Sequence, residues 1–173
     1  MTFVAAVLVS LAGMLIADEA CNNVSSMSSA DACLTFSNTM ERWHSLCRET
    51  LLNAPATAEV TVYALIAMRL VKQRYKDAVA GMDQMLGTGK LPADEAAALE
   101  HCKVMYGEAG LLMAGVADQL FACDLPHVRQ EYINTEVAVG TCRDGLLPVY
   151  DMVTVDFDLT MVSYLLGAII VGR

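Results

Sequence analysis

Between Leu91 and Tyr150 apolar residues return every three or four positions, in two successive runs, and this spacing restricts what the chain can become. Leu99, Cys102, Tyr106, Ala109, Met113, Val116, Leu120 and Cys123 form one stripe; Val128, Tyr132, Thr135, Val139, Cys142, Leu146 and Val149 form the next. Alternating steps of three and four mark a helix with one face turned to a core. Asp124, Leu125 and Pro126 separate the stripes as a turn, and a proline near the first helical position removes an N–H that would have had no partner. The two helices are therefore expected to fold back antiparallel. Counted from that turn, Cys102 and Cys142 differ in depth by about one helical turn, which predicts a disulfide across the hairpin. A bridge closing about forty residues is worth about 4 kcal/mol in the chain-entropy account.

The rest of the chain repeats the theme. Val60, Ala64, Ala67, Val71, Tyr75, Ala78, Met82 and Met85 line one face of a helix expected to run to about Leu86, with lysine and arginine confined to the other face. Thr57 is placed to cap it, with Glu59 in its first turn. Gly87, Thr88 and Gly89 stop it, and Leu91, Pro92, Asp94 and Glu95 open the next helix with proline and acid at its positive end. Gly107, Gly110 and Gly115 inside that second helix suggest close approach of a neighbouring backbone. A last apolar run is expected to begin near Asp156 to Asp158, which read as N-terminal acids, and to end at Arg173. Met161, Val162, Leu165, Leu166, Ile169 and Ile170 predict that it is the most enclosed helix.

Four helices joined by short turns predict an all-α, up-down-up-down bundle over residues 57–173. Ahead of it, residues 21–54 read as a small hairpin. Cys21 to Asp31 is rich in turn-forming Ser and Asn, and Ala32 to Leu52 carries an interrupted helical pattern that a Cys33–Cys47 bridge would staple. In this topology the start of the first bundle helix and Cys123 share one end of the bundle. The hairpin hangs from that end, making Cys21 and Cys123 candidates for a third bridge.

Residues 1–17 contain no charge and end in small residues before Asp18 and Glu19, a run too short for a membrane span and expected to be a secretory signal, although it lacks a positive start. Secretion favours disulfides for all six cysteines and makes Asn23-Val24-Ser25 a candidate glycosylation sequon. A 173-residue chain is one domain in size. With 20 acidic residues against 11 lysines and arginines, its net charge of -9 opposes nucleic acid and anionic membranes as partners and favours a basic protein.

No catalytic motif is present: there is no G-x-S-x-G, no H-E-x-x-H and no phosphate-binding glycine loop. His44, His101 and His127 show no zinc-ligand spacing, and the turn separates Cys123 from His127, so neither a metal nor a cofactor is expected. Methionines 68, 82, 85, 105 and 113 fall at helical spacing and read as core. Function is then expected on a surface, and the outward row Gln130, Asn134, Val137, Thr141 and Asp144 runs beside the buried stripe of the third bundle helix.

Particular segments carry a family resemblance. Ala32-Cys33 with Cys47-Arg48-Glu49-Thr50-Leu51, Leu99-Glu100-His101-Cys102 with Tyr106, and Ala138 through Thr141-Cys142-Arg143-Asp144-Gly145 resemble the plant invertase and pectin methylesterase inhibitors. Threonine before the cysteine with Asp-Gly after it is the most specific of these. Two features depart from the family pattern: Cys21 and Cys123 add to its four cysteines, and the Cys33 to Cys47 interval is longer. The resemblance implies a secreted, non-enzymatic inhibitor that binds its target one to one without covalent chemistry. In the esterase branch the bundle covers the substrate cleft of pectin methylesterase in the acidic cell wall. In the invertase branch the connection between the second and third bundle helices enters the active site of a cell-wall or vacuolar enzyme. Here that connection, Cys123-Asp124-Leu125-Pro126-His127, lacks the Pro-Lys-Phe of some invertase inhibitors, which favours the esterase branch. By matching position the resemblance points to Thr141 and Asp144 as contacts; Gln130 and Asn134 follow because they share the row. A bundle of this fold without inhibitory activity is the remaining alternative.

Overall fold

The computed structural model describes residues 21, 24–36, 40–145 and 149–171; the expected signal, Asn23 and Leu146 lie outside them. In chain order the elements are β1 (Ser26–Ser28), α1 (Ser29–Leu34), α2 (Glu41–Thr50), β2 (Thr57–Glu59), α3 (Val60–Gly87), α4 (Ala93–Ala122), α5 (Val128–Gly145) and α6 (Tyr150–Val171). Helix α3 packs on α4 and α6, and α5 packs on the same two, which closes a four-helix bundle. The expected stripes are its seam. Val60, Ala64, Ala67, Val71, Tyr75, Ala78 and Met82 of α3, Leu99, Cys102, Tyr106, Ala109, Met113, Val116 and Leu120 of α4, and Val128, Tyr132, Thr135, Val139 and Cys142 of α5 are all buried.

The N-terminal hairpin does not simply hang from one end. Helix α2 lies against α6, where Trp43 Nε1 donates to Asp158 Oδ1 at 2.8 Å and Arg42 pairs with the same carboxylate. Asp158 sits thirteen residues before the end of α6, so the hairpin reaches about 20 Å down the bundle.

Four further expectations give way to tertiary contacts. Thr57 does not cap α3, and Glu59 is its N-cap residue, without a side-chain cap bond, and not a first-turn acid: Thr57–Glu59 is a strand, paired antiparallel with Ser26–Ser28 so that Ser26 faces Glu59. The Tyr63 hydroxyl pins this ladder, at 3.0 Å from the carbonyl oxygens of both Met27 and Pro55. Helix α6 begins at Tyr150, nearly two turns before Asp156, so Asp151 is its first-turn acid and Asp156 and Asp158 are mid-helix side chains with distant partners. Val149 is buried but lies beyond the end of α5. Cys123 leaves its stripe as well; it is the exposed C-cap of α4, in left-handed backbone with φ 54°.

Helix α6 is long and apolar enough to cross a membrane, but 61% of that stretch is buried inside the protein. Val162 and Leu166 are enclosed, while Met161, Leu165, Ile169 and Ile170 are half-buried. The glycines of α4 admit no neighbouring backbone. A Cβ at Gly107 or Gly110 would meet open space, and one at Gly115 would meet the Glu131 carboxylate. Gly107→Ala is therefore expected to stabilise the fold by about 0.5–1 kcal/mol, the helix-propensity gain alone, as a rise in melting temperature.

Candidate interaction face

Helix α5 divides cleanly into two sides. Its inner side is sealed by Tyr132, Thr135, Val139 and Cys142, with the Thr135 hydroxyl donating to the Glu131 carbonyl at 2.8 Å so that the buried polar group has a partner within its own helix. Its outer side carries Gln130, Asn134, Val137 and Thr141, all exposed. Gln130 Nε2 donates to Asn134 Oδ1 at 2.9 Å, and the Thr141 hydroxyl to the Val137 carbonyl at 2.8 Å. These local bonds tie down rotamers before any partner arrives, which lowers the ordering cost of binding. Asp144 continues the same helix one turn on.

Covalent ties hold this side in place. Cys102 of α4 is joined to Cys142 of α5, the residue after Thr141, with Cα atoms 5.4 Å apart. Cys33 is joined to Cys47 inside the hairpin at 5.7 Å, and Cys21 to Cys123 at 5.4 Å across 102 residues. The Arg143 guanidinium lies 4.1 Å from the centroid of the Phe157 ring, fixing the end of α5 to α6.

Deeper in the bundle a polar cluster crosses three helices. Arg74 Nε donates to Asp156 Oδ1 at 3.0 Å, Tyr106 donates to Asp156 Oδ2 at 3.1 Å, and the Tyr75 hydroxyl meets Thr160 Oγ1 at 2.6 Å. The rings of Tyr75 and Tyr106 meet edge to face at 5.3 Å. Burial raises the Asp156 carboxyl above its ordinary range, although Arg74 and the Tyr106 hydrogen bond pull the other way. Burial likewise raises the phenols of Tyr75, Tyr106 and Tyr132. With its carboxylate side chain fully buried, this cluster is positioned to hold helices in register and is not open to a substrate.

Among the described residues no group of three His, Cys, Asp or Glu side chains is arranged to hold a metal. A cavity of about 380 Å³ in the hairpin is lined by Ser29, Ala30, Ser45, Arg48, Glu49, Leu51 and Leu52, without histidine or cysteine. His101 and His127 are exposed, and Cys123 is engaged with Cys21. Periodicity drew attention to the buried side of α4 and passed over its solvent side, where Val104 and Leu111 are 64% and 76% exposed. The signal was two large apolar residues seven apart and off the stripe. Leu111 and Val137 each lie about 15 Å from the α4–α5 turn, so the adjoining helices expose an apolar group at the same height.

No family model and no curated protein matches the sequence. Among solved structures the chain is similar to the crystal structure of a pectin methylesterase inhibitor from Arabidopsis thaliana, with a TM-score of 0.61 and 14% identity over 85% of this chain and 99% of that one. At that identity the likeness speaks for architecture. The stapled hairpin, the closed ring of four helices and the bridge between the middle pair thus make up the fold of a pectin methylesterase inhibitor.

Proposed function

We propose that this protein is a secreted inhibitor of pectin methylesterase, binding one to one and without covalent chemistry, with the outer side of α5 laid over the enzyme's substrate cleft. The observation that carries the reading is the exposed row Gln130, Asn134, Val137 and Thr141 on a helix braced by a disulfide, within the fold of such an inhibitor. Asp144 extends the row, and Leu111 of α4 supplies an apolar group for a partner to cover. The net charge of -9 suits a basic target, with attraction that speeds encounter and weakens with salt. Three disulfides suit an oxidising extracellular setting such as the cell wall.

An invertase, in the wall or the vacuole, is the less favoured target. Insertion of the α4–α5 connection would require a segment free to reach, whereas Cys123 opens this one and is tied to Cys21.

Thr141→Arg tests the face. Threonine is exposed there and arginine is a good helix former, so helicity and melting temperature should stay within error of the parent. Affinity for the esterase, measured by inhibition at acidic pH, should fall by about tenfold or more, because a bulky cation would stand in a tightly packed contact. Undiminished inhibition by the variant would rule out this face.

A further inference from the structure

We propose that Cys123 is a site of thiol–disulfide exchange, at which a small-molecule thiol or dithiol opens the Cys21–Cys123 bond selectively and so unclamps the α4–α5 turn. The three bridges differ in what a reagent can reach. Cys33 and Cys47 are both fully buried, and Cys102 and Cys142 are only 3% and 1% exposed. Cys123 is the one exposed half-cystine of the six, while its partner Cys21 is buried at 6%. Exchange requires a thiolate to approach a sulfur, so access sets the order in which native disulfides react.

The step is a two-electron reduction. A reductant thiolate attacks Cys123 Sγ, forming a mixed disulfide, and Cys21 departs as a thiolate that takes a proton from solvent. A second thiolate, from the same dithiol or from another monothiol molecule, then attacks the reductant's sulfur in the mixed disulfide; Cys123 departs as a thiolate that takes a proton from solvent, and the reductant is left as its disulfide. The Leu120 carbonyl oxygen lies 3.7 Å from Cys21 Sγ, where it can accept from the thiol once formed.

Opening this bond has local consequences. The β1–β2 ladder and the Val60 N–H to Ser25 carbonyl bond hold the chain from Ser25 onward, and opening the bond leaves these contacts in place. At the other end, Cys123 occupies left-handed backbone, a conformation unfavourable for a residue with a Cβ. Without the bridge the turn keeps its backbone bonds, Cys123 and Asp124 N–H to the Leu120 and Gln119 carbonyls and Val128 and Glu131 N–H to the Leu125 and His127 carbonyls, but loses its covalent tie to the N-terminal segment.

Graded dithiothreitol on the native protein, followed by alkylation and peptide mass mapping, tests this. Cys21 and Cys123 should be labelled together and about tenfold or more faster than the other four, with far-ultraviolet circular dichroism unchanged and new proteolytic cleavage confined to the turn and the residues before Ser25. The Cys21→Ser/Cys123→Ser double variant should fold, lack the fast phase and show the same cleavage without reductant. First labelling at another pair, or labelling of all six only with loss of helicity, would overturn the assignment. Failure to inhibit an esterase has no bearing on these readouts.

Discussion

Asp156→Ala is expected to cost about 2–3 kcal/mol, seen as a fall in melting temperature of about 5–10 °C for a chain of this size. The carboxylate is fully buried in α6 and accepts from Arg74 on α3 and Tyr106 on α4, so its loss unpairs two helices at once. Tyr106 is only 1% exposed, and its hydroxyl would be left without an acceptor; Arg74 is 40% exposed and can turn to water, which limits the total. Unfolding by heat or urea measures the difference.

The Asp156→Asn variant isolates the charge. Burial raises the Asp156 carboxyl above 3.8 in the folded protein, with Arg74 opposing. A carboxyl raised on folding contributes stability that is complete below the unfolded value and is lost as the pH climbs through the folded one. Asparagine does not titrate. The melting temperature of the parent minus that of Asp156→Asn should therefore be larger near pH 4 than at pH 7, and a difference that is constant or reversed would contradict a raised carboxyl. On this account the group favours the fold under acidic conditions.

Gly167→Ala is the second large effect. Its Cβ would run into Cε2 of the Tyr132 ring and stand 3.0 Å from Cζ. The ring has little room to retreat: it is 1% exposed, its hydroxyl accepts from Ser163, and its edge meets Tyr164 at 5.9 Å. Overpacking should outweigh the helix-propensity gain and leave a net loss of about 2 kcal/mol, or a fall of about 4–8 °C. The same substitution at Gly107 carries the opposite sign, so the pair separates packing from propensity.

The contrast between these glycines shows where sequence ceases to inform. Periodicity identifies which face of α4 is buried, because burial recurs along one helix. It does not reveal that Gly107 and Gly110 face open space while Gly167 receives a tyrosine from thirty-five residues away. The start of α6 was hidden for a related reason. Tyr150 to Asp158 mixes β-branched and acidic residues, and Asp156 and Asp158 resemble first-turn acids until Arg74, Tyr106 and Trp43 are brought to them by the bundle. Strands β1 and β2 are three residues each, too short for alternation to register, and they pair across a thirty-residue gap. The bundle was legible because long stripes and short turns leave one economical way to bury four helices. The outer row of α5 was legible as the complement of its stripe; Val104 and Leu111 were not, because a pattern of burial is silent about apolar residues outside it.

The most direct measurement is a titration of the purified, oxidised protein against a pectin methylesterase and, in parallel, an invertase at acidic pH. Esterase activity should fall to an end point near one protein per enzyme while sucrose cleavage is unaffected. Full esterase activity at about micromolar protein, well above what a specific complex needs, would contradict the proposed inhibition.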